Sequence, residues 1–178
     1  MKRIMLIAAS ALALTGCMSV PEPAHGTKPE ARFSQASEDA SADVDAALAR
    51  ARQSGKRVLL VMGANWCHDS RALAGWLATD RFAELIDRKY ELVFVDIGMP
   101  RRGDRPNLAI ARRFGVMELP GSPNVLVLLS DGVLVNPTAA TGWRNSASRT
   151  GDDIYEELAT LADQLPISST EDGSKDAS

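Results

Sequence analysis

The chain has 178 residues, 45% hydrophobic and 24% charged, the composition of an ordinary globular protein with room for one domain and modest tails. A formal net charge of −3 offers no excess of basic residues from which to build a nucleic-acid-binding face, so no nucleic-acid partner is expected. Composition alone does not separate an enzyme from a binding module.

Lys2 and Arg3 open the chain, and Ile4 to Leu14 is an apolar stretch too short to span a bilayer as a helix. The stretch closes on Leu14-Thr15-Gly16-Cys17, and the whole resembles a bacterial lipoprotein signal. The resemblance implies a signal peptide over 1–16, cut before a Cys17 that then carries lipid on its sulfur and its new amino group. An ordinary secretory signal with an incidental cysteine is the other reading. Lipidation would take Cys17 out of disulfide chemistry and leave Cys67 as the single thiol of the mature domain. Met18 stands where an aspartate would imply inner-membrane retention. The resemblance therefore implies a lipid anchor in the outer membrane of a Gram-negative bacterium, facing the periplasm.

From Ser19 to about Ala42 the sequence is rich in Pro, Ala, Ser and Glu. It reads as a flexible tether over 17–40, with His25 carrying no evident chemistry. Ser41 to Gly55 reads as a helix: Ser41 can cap it, Asp43 and Asp45 suit its start, Arg50 and Arg52 its end, and Gly55 stops it. Val44, Ala47, Leu48 and Ala51 form the apolar face. Val58 to Met62 has the length and β-branched content of a buried strand. Gly63, Ala64 and Asn65 break it, Trp66-Cys67-His68-Asp69-Ser70 follows, and Leu73, Trp76 and Leu77 recur at helical spacing. Thr79-Asp80 marks a break and a new cap before a helix over Arg81 to Arg88.

Glu91 to Ile97 is a second buried strand, and Gly98 to Pro106 a polar, basic loop holding Arg101, Arg102 and Arg105, read as a solvated connection. A helix is expected over Asn107 to Phe114, ending at Gly115. Asn124 to Leu129 is a third strand, with Ser130-Asp131-Gly132 as a tight turn and Val133 to Val135 as the hairpin partner. Asp152 to Leu165 is a terminal helix with Ile154, Leu158, Leu161 and Leu165 on one face. Pro166 ends it, and 167–178 is a polar disordered tail. Alternation of this kind predicts an α/β sandwich over 41–166, with a mixed sheet made of a parallel pair and an antiparallel hairpin, flanked by helices.

Cys67 therefore sits where a buried strand turns into a helix. There it faces unpaired N–H groups and the positive end of the helix dipole, which favour thiolate over thiol. His68, if protonated, acts in the same direction, Asp69 opposes it, and Trp66 can shield one side of the sulfur. The other reading of Cys67 is an inert buried cysteine. The folded region has one cysteine and one adjacent histidine, too few ligands for a Cys/His zinc site, and no metal or cofactor is expected. A cysteine-protease arrangement needs a histidine that turns onto the sulfur, and neighbouring side chains at a helix start diverge.

Strand, Trp66-Cys67-His68-Asp69-Ser70, helix, strand, helix, Pro123, hairpin and terminal helix together resemble the thioredoxin superfamily, with an extra helix before the active-site strand. The resemblance covers roughly Ser41 to Leu165. It implies that Cys67 is a nucleophile toward protein thiols or disulfides, that Pro123 is the cis-proline opposite it, and that Ser122 pairs with an extended client. Pro120 is the rival for the cis position. Ser70 departs from the dithiol pattern: it stands where the resolving cysteine would be, on the same helix face as Cys67, and is expected to donate a hydrogen bond to the thiolate. Val61 stands where thioredoxins carry a buried aspartate. The expected function is thiol–disulfide exchange, isomerisation or thiol capture, with cysteine-containing envelope proteins or a periplasmic thiol reductant as partners. The alternative is a non-catalytic binding or assembly module of the cell envelope.

Overall fold

The structure is a computed structural model and describes residues 28–33, 37, 39–99 and 107–166. The signal peptide, Cys17, His25, the Arg101/Arg102/Arg105 loop and the tail over 167–178 lie outside the described residues.

Strand β1 (Arg57–Gly63) is the middle of a three-stranded sheet, paired parallel with β2 (Tyr90–Asp96) and antiparallel with β3 (Asn124–Leu128). The register runs Arg57 to Tyr90 through Gly63 to Asp96 on one side, and Val58 to Leu128 through Met62 to Asn124 on the other. A central strand covered on both faces needs an unbroken apolar sequence, which Val58 to Met62 supplies. Alternate residues take opposite faces. Val58, Leu60 and Met62 pack with helix α1 (Ala40–Ser54) and helix α4 (Leu108–Arg113). Leu59 and Val61 pack with α2 (His68–Leu77), α3 (Asp80–Lys89) and α5 (Gly151–Asp163). Each fully buried Leu or Val contributes about 1.5–3 kcal/mol of transfer free energy. The expected mixed α/β sandwich is what forms, with the extra helix α1 before the active-site strand.

Several details differ from the sequence reading. Helix α1 is capped by Asp39, whose side chain accepts from Ala42 N at 2.9 Å, and Ser41 lies inside it. The buried stripe already starts at Ala40, so the cap must precede it. Gly55 ends α1 as expected, with φ 72° and its N–H on Ala51 O. Helix α5 stops at Asp163, and Leu165, expected on its buried face, is 80% exposed. Its start is fixed by Thr150, which accepts from Asp153 N while the Asp153 carboxylate reaches back to Thr150 N.

The expected hairpin is shorter than its sequence suggests. Val133 to Val135 makes a single bridge, Leu134 against Leu128, with Val135 N donating to Val127 O. Pro137 follows Asn136 and cannot donate to a ladder. The Asn136 side chain takes over instead, its Oδ1 accepting from Val127 N and its Nδ2 donating to Val125 O, both at 2.9 Å. Val125 N donates to Ala140 O, so among the described residues the outer edge of β3 is closed without a fourth strand.

The expected tether also needs correction over 28–33. Phe33 is 1% exposed, packs edge-on against Phe94 at 5.1 Å, and belongs to the cluster of α2 and α5. One aromatic ring is enough to seat a stretch whose average composition is polar. Among the described residues no helix is long and apolar enough to cross a membrane.

Candidate active site

At the C-terminal end of β1 the chain turns through Ala64, Asn65 and Trp66 and enters α2 at Cys67, the N-cap residue, in extended conformation (φ −87°, ψ 121°). Cys67 N donates to Ala64 O, and Cys67 O accepts from Arg71 N, both at 3.1 Å. The sulfur thus stands at the start of a helix of ten residues, beside N–H groups that no earlier turn can satisfy. Cys67 is 8% exposed and is a free thiol.

Across from it the Ser122–Pro123 bond is cis, and Pro120, the rival, is not. Cys67 Sγ donates to Ser122 O at 3.2 Å, so the thiol and the residue before the cis-proline are in direct contact. The Ser70 hydroxyl lies 2.7 Å from Ser122 Oγ and accepts from Ala64 N at 3.3 Å. This corrects the expected Ser70–thiolate bond. The helix does put Ser70 on the face of Cys67, but its oxygen bridges across to Ser122 and back to the turn. Asn124, at the start of β3, donates from Nδ2 to Gly121 O and braces the loop ahead of the cis-proline.

Trp66 is 44% exposed and its Nε1 donates to Gly98 O at 2.8 Å, which ties the cysteine turn to the end of β2. His68 is exposed, 3.4 Å from Asp69 Oδ2. Asp69 is buried, and its Oδ1 accepts from Ala147 N at 2.8 Å, holding the short 3-10 turn Ser146–Ser148 against α2. Its carboxylate is engaged by Ala147 and His68, so its evident task is to join α2 to that turn. Val61 is fully buried in the apolar cluster beneath.

Sequence reasoning passed over Asn65, Arg71 and Phe33. Phe33 N donates to Asn65 Oδ1 at 2.7 Å, and Arg71 reaches Asn65 O at 2.9 Å. The one signal available was an aromatic residue inside a polar, proline-rich segment. Among the described residues no group of three or more His, Cys, Asp or Glu is placed to hold a metal ion. Chemically, the arrangement presents one free thiol, a backbone carbonyl in contact with it, and a hydroxyl pair where a second sulfur would permit an internal disulfide.

The model of the thioredoxin-like family matches residues 39–129, just over half of the chain. The crystal structure of a disulphide isomerase from Xylella fastidiosa Temecula1 is similar, with 30% sequence identity and a TM-score of 0.62, over 82% of this chain and 98% of that one. No curated protein matches the chain. The matched residues run from the start of α1 through Cys67 and the cis-proline to the end of β3, and the chain belongs to the thioredoxin-like proteins of the thioredoxin superfamily.

Proposed function

We propose that this protein rearranges disulfides in client proteins of the cell envelope, with Cys67 as the nucleophile. The observation that carries the reading is the contact between Cys67 Sγ and Ser122 O, next to a cis-proline, with Ser70 in place of a second cysteine. Its relation to a structure named as a disulphide isomerase supports the same chemistry. The Cys67 thiolate attacks one sulfur of a client disulfide. A Cys67–client S–S bond forms, the client S–S bond breaks, and the other client sulfur leaves as a thiolate that takes up a proton. A different client thiolate then attacks the client sulfur of the mixed disulfide and releases Cys67 as thiolate. No electrons are gained or lost overall, so neither a resolving cysteine nor an external reductant is required. Ser122 receives the extended client backbone, and Ser70 positions Ser122 through the hydroxyl contact.

The lipoprotein-like start of the chain supports placing this activity at the periplasmic face of the outer membrane, with Cys17 as the lipidated anchor and membrane contact through that lipid alone. The reading is tested by refolding a scrambled-disulfide protein with the chain present. Wild type is expected to speed recovery of native pairing and Cys67→Ala to have no effect. Equal recovery with both would exclude Cys67 as the nucleophile. A second reading, a binding module that leaves its thiol unused, draws on the burial of Cys67 and the engagement of its S–H by Ser122 O. Client binding that survives Cys67→Ala with no exchange in wild type would favour it.

A further inference from the structure

Residues 28–33 run along α2 toward the cysteine turn and contact it at a descending series of positions. Lys28 Nζ donates to Ala147 O, in the 3-10 turn that Asp69 holds. Pro29 crosses Gly75 so closely that a Cβ there would lie 2.4 Å from the Pro29 carbonyl carbon and oxygen. Ala31 N donates to Arg71 O at 3.1 Å, and Phe33 N to Asn65 Oδ1 at 2.7 Å. Arg71 joins both partners, with Nε 3.4 Å from Glu30 Oε2 and a guanidinium N–H on Asn65 O at 2.9 Å.

Burying Phe33 asks only for apolar neighbours. Yet two backbone donors of the segment, Phe33 N and Ala31 N, are directed at Asn65, two residues before Cys67, and at Arg71 in the first turn of its helix. Asn65 is held by side chain and carbonyl together, and Trp66 after it is tied to Gly98. We propose that residues 28–33 are a positioning strap, which fixes the Asn65–Cys67 turn and so holds the sulfur in its reactive geometry against Ser122. Phe33, Asn65 and Arg71 are its positioning residues, and Gly75 is the opening that lets it pass. The proposal rests on Cys67 as the reacting group, and extends the working unit to a segment before α1. Preorganisation of this kind is what a reacting atom loses when its supporting contacts are removed.

The test uses the full chain. Gly75→Ala displaces the strap at a distance from the thiol and leaves a helix position that alanine suits. Asn65→Ala removes the acceptor of Phe33 N–H, and Asn65→Asp keeps one. Amide hydrogen exchange reads the Cys67 N–H, bonded to Ala64 O, against the amides of β1. Exchange of Cys67 with glutathione disulfide reads the chemistry. Gly75→Ala and Asn65→Ala are expected to lose protection at Cys67 while β1 keeps it, and to slow the disulfide exchange roughly tenfold. Asn65→Asp is expected to restore both. Wild-type protection and rate in Asn65→Ala, or in a Gly75→Ala chain whose Ala31 and Phe33 amides exchange freely, would overturn the strap. A wild-type chain inert to glutathione disulfide would instead sink the proposed function, and Cys67 protection would still decide the strap.

Discussion

Ser70→Ala removes one buried oxygen and leaves two groups without their partner. Ser70 is fully buried, and its Oγ accepts from Ala64 N and pairs with Ser122 Oγ. Ala64 is 1% exposed and Ser122 7% exposed, so water does not readily replace the missing atom. An orphaned buried donor costs about 1–3 kcal/mol, and losing a neutral hydroxyl pair about 1 kcal/mol more. Taken together the variant is expected to lose roughly 2–4 kcal/mol of stability. Followed by tryptophan fluorescence, the urea midpoint should fall by roughly 1–2 M for a domain of this size. Because the hydroxyl does not bond to Cys67, iodoacetamide should alkylate the folded variant at nearly the wild-type rate, at fixed pH and in the absence of urea. Unchanged stability together with a roughly tenfold slower alkylation would refute this and return Ser70 to the sulfur.

Two further substitutions test the frame. Asn136→Ala strips the partners from Val127 N and Val125 O on a buried strand edge, and is expected to cost roughly 3 kcal/mol in chemical denaturation. A loss under about 1 kcal/mol would mean that water or a shifted Val133–Val135 segment closes that edge. Tyr90 is buried and donates to Leu158 O at 2.6 Å. Burial pushes its phenol well above the ordinary value of 10.0, with Asp163 adding to the rise and Arg57 working against it. Because the folded value is the raised one, this group contributes its full stability below pH 10.0 and loses it as pH climbs from there through the folded value. Tyr90→Phe should therefore be less stable at neutral pH, by about 1–3 kcal/mol for the unpaired carbonyl, with a shallower alkaline decline. Parallel decline in the two proteins above pH 10.0 would contradict the assignment.

The parts of the fold that could be read from sequence are those that one local pattern dictates. Val58 to Met62 is apolar without alternation because both of its faces are covered, so its burial was evident from five residues. The change from that run to helical spacing fixed Cys67 at a helix start, whereas Ser122–Pro123 as the opposite wall came from the resemblance to the thioredoxin superfamily and not from a local pattern. Features that depend on one side chain crossing to a distant backbone were not legible. Nothing local to Asn136 marks it as a partner for β3, yet its side chain takes the place of a ladder strand there. Ser70 has the right helical spacing to meet Cys67, but only the fold shows Ser122 competing for its hydroxyl. Residues 28–33 look like linker because their composition is averaged, whereas their seating depends on Phe33 and on space above Gly75.

The central claim is that Cys67 forms disulfides with client proteins during turnover. It is tested most directly by quenching living cells with acid, alkylating free thiols, and identifying by mass spectrometry the peptides disulfide-linked to Cys67. Client peptides joined to Cys67 in wild type, and absent from Cys67→Ala, are the predicted result. A Cys67 recovered only as the alkylated free thiol, under conditions that trap mixed disulfides on other proteins of the same cells, would contradict it.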